Sequence, residues 1–237
     1  MAKLNPQKGK KEKVKGMFND IAFRYDFLNH FLSAGIDKLW RKRVRKYLSP
    51  GHPKQILDVA TGTGDLAIEL AKLNPDRIFG IDIAAGMLAI GKEKIQNQKL
   101  ENIISLKEGD SENLEFDKNT FDAVTVAFGV RNFEDLNRGL SEMCRVLKPG
   151  GHIAILEFSK PKQFPVRQLY KAYSRFVLPM LGRMISKHNE AYSYLPESVK
   201  LFAEDKEFLY EMEKAGFRQV GQKRFTFGIS TLYYGIK

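Results

Sequence analysis

A chain of 237 residues with 43% hydrophobic and 28% charged residues has the size and balance of one water-exposed α/β core with some decoration. No apolar run approaches the ~18 residues of a membrane-spanning helix, and no apolar segment follows the lysine-rich start, so neither a span nor a secretory signal is expected. The net charge of +11 and the single cysteine, Cys144, exclude an internal disulfide and fit a reducing, cytoplasmic setting with an anionic partner or a broad solvated face.

The positive charge is unevenly placed. Lys3, Lys8, Lys10, Lys11, Lys13 and Lys15 form one cluster, expected as a mobile tail within a basic and helical cap over residues 1–50. Arg41, Lys42, Arg43, Arg45 and Lys46 form another. Such runs serve nucleic acid, an anionic membrane surface or plain solvation, and the pattern alone leaves these open.

From residue 51 to 237 the chain reads as a single domain. Gln55 to Ala60 is a strand of aliphatic residues, and Thr61-Gly-Thr-Gly64 follows it. Gly62 and Gly64 allow a tight turn and a close backbone approach to a ligand. Leu66 to Lys72 is a helix, and Arg77 to Asp82 a second strand ending in a carboxylate. In a βαβ unit a carboxylate at that place accepts hydrogen bonds from ribose hydroxyls. Gly62-x-Gly64-x-x-Ala67 also fits the loose dinucleotide fingerprint, so two ligands compete. Asp58, which ends the first strand, shifts the balance. A pyrophosphate gains nothing from a nearby carboxylate, whereas the ammonium and sulfonium of S-adenosylmethionine do. The methyl donor is therefore the preferred ligand.

The alternation continues through a helix at Met87–Ile95, a third strand at Ile103–Lys107 and a fourth at Phe121–Ala127. A helix from Glu134 to Leu147 stops at Lys148-Pro-Gly-Gly151, and Cys144 within it reads as a small buried residue. His152–Glu157 is the fifth strand, Asp205–Ala215 the last helix, and two closing strands follow Gly216. These imply a mostly parallel, Rossmann-like sheet of seven strands with helices on both faces, the class I S-adenosylmethionine-dependent methyltransferase fold. Residues 161–202 form a helical insertion after the fifth strand, placed to act as a lid. Its stretch from Leu169 to Ile185 has helical apolar spacing interleaved with Arg167, Lys171, Arg175, Arg183 and Lys187, and Pro179 should break it. It is either a helix packed on the core or a basic amphipathic surface for a bilayer or a lipid-like substrate. Asp110, just past the third strand, can accept from an adenine amino group with Ser111 beside it. Met87 can pack on the adenine ring, although a core role suits it better.

Tyr25-Asp-Phe-Leu-Asn29, with Leu32-Ser33 and Trp40 downstream, resembles the N-terminal signature of the ubiquinone/menaquinone biosynthesis C-methyltransferases. Arg145 to Ser159 resembles that family's second signature, and Ala127-Phe-Gly-Val-Arg-Asn-Phe133 and Tyr194-Leu-Pro-Glu-Ser198 are also similar. The likeness runs from about Phe18 to the end. Asp37 stands where histidine is usual. The resemblance implies methylation of a ring carbon of a demethylated polyprenyl quinol, demethylmenaquinol foremost and a benzoquinol as the alternative. It assigns donor binding to Thr63, Asp82, Asp110 and Ser111, and a quinol pocket to Tyr25, Asp26, Asn29 and Tyr194. A quinol hydroxyl must lose its proton before the ring carbon becomes nucleophilic, and a nearby cation favours that. Arg131 is the candidate cation, with Asn132 holding the ring oxygen. A polyprenyl acceptor implies peripheral contact with the inner face of an anionic membrane. A nucleic-acid substrate is not expected, because Ala127 to Asn132 is no Asn/Asp-Pro-Pro-aromatic loop that would stack a flipped base. No metal is expected, since His30, His152 and His188 are scattered and no grouping has ligand spacing.

Overall fold

The computed structural model describes residues 9–173 and 190–237. Helix α1 spans Lys10–Leu32 and α2 spans Ile36–Leu48. The alternating part runs β1 (Gln55–Val59), α3 (Asp65–Leu70), β2 (Arg77–Asp82), α4 (Ala85–Asn97), β3 (Ile104–Glu108), β4 (Phe121–Ala127), α5 (Leu136–Val146) and β5 (Leu147–Phe158). It continues with α6 (Val166–Ala172), α7 (Glu190–Leu201), α8 (Lys206–Lys214), β6 (Arg218–Phe225) and β7 (Ser230–Ile236).

The strands form one seven-stranded sheet in the order β3-β2-β1-β4-β5-β7-β6. β1 to β5 are mutually parallel, while β7 runs antiparallel between β5 and β6. Side chains alternate between the two faces, as the period of a strand requires. Leu57, Val124, Ile153 and Ile155 pack with Leu140, Met143, Phe208 and Met212 on one face. Ile56, Ala123, Ala154 and Leu156 pack with Trp40, Val44 and Leu48 on the other. Trp40, Val44 and Leu48 recur every four residues, which puts them on one stripe of α2 and leaves Lys42, Arg43 and Lys46 exposed. Most of the second basic cluster is thus a solvated face.

Lys3 and Lys8 of the first cluster lie outside the described residues, and its other four lysines differ from their expectation. Lys10, Lys11, Lys13 and Lys15 belong to helix α1. Lys15 reaches Glu108 at 2.7 Å, and Lys11 reaches Asp110 and Glu112 at 2.7 and 3.1 Å. The acidic run after β3 supplies the counter-charges that order this segment, and nothing in the local pattern of lysines signals so distant a partner. In the insertion, the expected break at Pro179 and most of the expected basic amphipathic surface lie outside the described residues. No described helix is long and apolar enough to cross a membrane.

The chain leaves β1 towards β2 and β3, then returns to β4 on the other side of β1. The carboxyl ends of β1 and β4 therefore flank the point where the strand order reverses, the place where open α/β sheets bind ligands.

Candidate functional site

Two residues at this point hold left-handed backbone, Ala60 at φ 51° after β1 and Phe128 at φ 59° after β4. Such conformations are costly for residues with a Cβ and cluster at ligand sites. Gly129 fits between them because a Cβ there would meet the Ala60 methyl at 2.6 Å. In the Thr61-Gly-Thr-Gly64 turn, Gly62 and Gly64 have φ of 58° and 77°, which explains both glycines.

A cavity opens over these strand ends in two chambers. The larger, about 70 Å³, has Asp82, Met87, Asp110, Ser111 and Asn132 in its wall, and is roofed by Val14, Phe18 and Tyr25 of α1. The smaller, about 30 Å³, is lined by Asp58, Thr61, Thr63 and Arg41. Tyr25, Ala60, Gly62 and Phe128 line both. The enclosed space is small beside the ~300–1,000 Å³ of drug-sized ligand sites. The space is narrow for a ligand as large as an adenosyl amino acid, and Val14, Phe18 and Tyr25 of α1 are the lining residues whose shift would widen it.

Asp58 is 1% exposed and accepts hydrogen bonds from Thr61 Oγ1 at 2.6 Å and Thr125 Oγ1 at 2.7 Å. Burial pushes its carboxyl up to about 6, against those two hydroxyls. Asp82 accepts from the backbone N–H of Gly62 at 2.8 Å and of Ala84 at 2.9 Å. Burial raises it as well. Among the described residues neither carboxylate has an ion-pair partner. Two such groups, one in each chamber, suit a ligand with a cation at one end and hydroxyls at the other. Met87 is 2% exposed, and a Cβ on Gly62 would meet its Cε at 3.3 Å, so it serves the core and floors the larger chamber.

The remaining expected residues fall into three groups. Asp110 and Ser111 line the larger chamber, but Asp110 is already engaged by Lys11. Asp26 does not line either chamber. Its carboxylate takes Thr63 Oγ1 at 2.5 Å and Lys94 Nζ at 2.8 Å, and Lys94 also binds Asp65. That network fastens α1 to the glycine turn and turns the Thr63 hydroxyl towards the helix. Asn29 hydrogen-bonds Tyr25, whose hydroxyl is raised by burial. Asn132 accepts from the Tyr194 hydroxyl at 3.0 Å, which joins the turn after β4 to α7.

Arg131 is 8% exposed and is no free cation. Its Nη1 lies 2.8 Å from Glu157 Oε1 and donates to the Phe128 carbonyl, while Nε donates to Ser198 Oγ at 3.2 Å. Glu157, fully buried at the end of β5, was not among the expected site residues. Its signal was present, since it ends a strand as Asp58 and Asp82 do. Burial raises its carboxyl against the opposing pull of Arg131. Lys10 Nζ, donating to the carbonyls of Arg131 and Phe133 at 2.9 and 3.0 Å, was missed too.

One cluster does have metal-ligand proximity, contrary to expectation. His30, Asp37 and Asp65 bring ligand atoms within 4.8 Å of one another. Asp37 accepts from His30, Ser33 and Arg41, and Arg41 also reaches Asp65 at 3.4 Å. The cation at the centre is thus the chain's own guanidinium. Spacing in sequence concealed the group because it spans α1, α2 and α3.

Comparison with known proteins accords with this arrangement. The model of the ubiE/COQ5 methyltransferase family matches residues 6–237. A demethylmenaquinone methyltransferase of Bacteroides fragilis is 50% identical over 229 residues, 96% of this chain and 94% of that one. A ubiquinone/menaquinone biosynthesis C-methyltransferase of Geobacter sulfurreducens is 44% identical over 230 residues, 96% of this chain and 90% of that one. Among solved structures, a SAM-dependent methyltransferase of Thermotoga maritima superposes with a TM-score of 0.64 at 20% identity, covering 94% of this chain and 99% of that one, and so bears on the fold alone. The glycine turn, the two buried strand-end carboxylates and the family match agree: the chain belongs to the ubiE/COQ5 methyltransferase family, and S-adenosylmethionine is its methyl donor.

Proposed function

We propose that this chain methylates a ring carbon of a demethylated polyprenyl quinol, the naphthoquinol of menaquinone synthesis before a benzoquinol. The likeness over nearly the whole chain to proteins named demethylmenaquinone methyltransferase carries the reading. The donor supplies an electrophilic methyl group, and the chain's task is to position and ionise the acceptor. Asp82 takes the ribose hydroxyls and Asp58 the ammonium, while Met87, Asp110 and Ser111 receive the adenine. In this reading Lys11 yields Asp110 to the adenine amino group.

The acceptor ring lies against Asn132, Tyr25 and Tyr194, with Arg131 near its hydroxyl. A cation within ~4–6 Å lowers a phenol's pKa and concentrates electron density on the ring carbon. Glu157 neutralises part of that field, so Arg131 works here chiefly as a fixed hydrogen-bond donor held by Glu157, Ser198 and the Phe128 carbonyl. Asp26 supports the site at one remove, by holding α1 on the glycine turn. The acceptor's tail places the protein at a membrane surface, and the exposed Phe23 and Phe27 of α1 and Leu169 of α6 suit peripheral contact. Nucleic acid has no part in this reading, and neither does a metal.

The test is an anaerobic assay with a short-tailed demethylated naphthoquinone, with and without dithionite. A quinone ring is electron-poor and its carbons do not act as nucleophiles, so only the reduced form should gain a methyl, read by product mass. Equal methylation of both forms would rule the mechanism out.

A further inference from the structure

A second concavity, about 400 Å³, opens beside the donor cavity. Its walls come from the start of α1 (Lys10, Lys13), the turn after β4 (Val130, Phe133) and α7 (Tyr194, Leu201). Phe133 and Glu134 line both spaces. Asn132 faces the donor side and Tyr194 the groove side, and the hydrogen bond between them, 3.0 Å long, closes the partition.

We propose that the groove binds the first prenyl units of the acceptor, with the Tyr194–Asn132 hydrogen bond as the gate through which the ring reaches the donor. The proposal rests on the quinol reading and deepens it. Three observations carry it. First, a reacting ring carbon must come within about 3–3.5 Å of the donor methyl, and Asn132 in the wall of the donor chamber is bonded to Tyr194 in the wall of the groove, so a substituent on a ring held at Asn132 continues into the groove. Second, the groove is near the lower end of the ~300–1,000 Å³ range for small-ligand sites, enough for a short apolar segment and not for a polyprenyl chain. The rest of the chain must leave. Third, the 65% exposed Leu201 and the exposed Lys13 both line the groove, so its open side offers an apolar residue and a cation. A tail whose far end stays in an anionic bilayer needs that combination. Of the charged residues that line the groove, Arg131 is paired with Glu157, Lys10 is held by the carbonyls of Arg131 and Phe133, and Lys13 and Glu197 are exposed to solvent at its edge.

The experiment compares reduced acceptors with no prenyl unit, one, two, and several more, in wild type and in Leu201→Glu and Leu201→Phe. Leu201 lies outside the residues assigned to donor and ring, and its exposure makes either substitution compatible with folding. In the wild type, kcat/KM should rise with the first units and then level off. Leu201→Glu should lower kcat/KM for the tailed acceptors about tenfold, leaving the tailless acceptor and donor affinity unchanged, while Leu201→Phe stays near wild type. Equal losses for tailed and tailless acceptors would overturn the assignment, as would no loss for either. A wild-type rate that keeps climbing with every added unit would also overturn it, since the groove cannot hold that much chain. If the wild type methylates no quinol of any length, the parent reading itself fails and the groove assignment with it.

Discussion

Arg131 Nη1 lies 2.8 Å from Glu157 Oε1, and the two side chains are 5% and 0% exposed. A buried pair of this kind is held in place by mutual need, because removing one partner leaves the other charge without compensation. Its position at the ends of β4 and β5 couples the turn that carries Asn132 to the strand beside it, and Ser198 couples both to α7.

Arg131→Met should therefore act twice. Turnover should fall by roughly a hundredfold or more, as for loss of a fixed donor at a developing oxyanion, with donor affinity little changed. Stability should also fall, by about 3–5 kcal/mol, because Glu157 is left buried and alone. The double variant Arg131→Met/Glu157→Leu separates the two. It should recover most of the melting temperature and none of the turnover. Recovery of turnover in the double variant would show that Arg131 matters only for folding.

Asp82→Ala should weaken S-adenosylmethionine binding by about 2–4 kcal/mol with the fold retained. Asp82→Asn is the more informative substitution. The carboxylate now accepts from both Gly62 and Ala84, and a single amide oxygen replaces only one of those oxygens. The asparagine variant should thus fall between wild type and alanine by calorimetry. Wild-type affinity in both variants would remove Asp82 from the donor site.

The alternation of aliphatic strands and helices made the parallel sheet legible in advance, because a strand such as Gln55–Val59 carries its own signal in β-branched and aliphatic residues and the turn after it carries glycines. Asp58 and Asp82 were legible for a related reason, since a carboxylate ending a buried strand beside a glycine turn has few structural purposes. Glu157 obeyed the same rule and was overlooked inside a longer motif. The α1 contacts were not legible at all. Lys11 and Asp110 are 99 residues apart, and Asp26 and Lys94 are 68 apart. Local patterns report periodicity and punctuation, not which distant charge meets which. The same limit hid the His30, Asp37, Asp65 and Arg41 cluster and made Arg131 look like a free cation.

Helix α1 should behave as a salt-sensitive strap. Lys11 ties one end to Asp110 and Glu112, and Asp26 ties the other to Lys94 and Thr63. Partly exposed pairs of this sort contribute about 0.2–1 kcal/mol each and weaken with ionic strength. The narrow donor cavity should then widen more often in salt. Stopped-flow donor association should speed up as salt is added, and Asp26→Asn should reach the high-salt rate at low salt. An association rate indifferent to both would mean that the donor enters without moving α1.

Asp58 should set the pH dependence of both stability and donor binding, in opposite directions. Burial raises its folded-state carboxyl to about 6, above the ~3.9 of an unfolded aspartate. The folded protein thus holds a proton that the unfolded chain has released. The stability this contributes is complete below the unfolded value and is lost as pH rises through about 6. Above that pH the ionised, unpaired carboxylate costs on the order of 2–3 kcal/mol. Asp58→Asn escapes the cost, since the amide can still meet the hydroxyls of Thr61 and Thr125 with one accepting and one donating group. The asparagine protein should melt higher than wild type at mildly alkaline pH, with the gap closing in acid. Donor binding should show the reverse. The wild type should gain affinity as Asp58 ionises, because the donor's ammonium needs the charge, and Asp58→Asn should bind weakly at every pH. Thermal melts and calorimetry across the same buffers check both halves. A wild-type affinity flat through the region around pH 6, with no stabilisation in the asparagine variant, would mean that this carboxyl is neither strained by burial nor reserved for the donor.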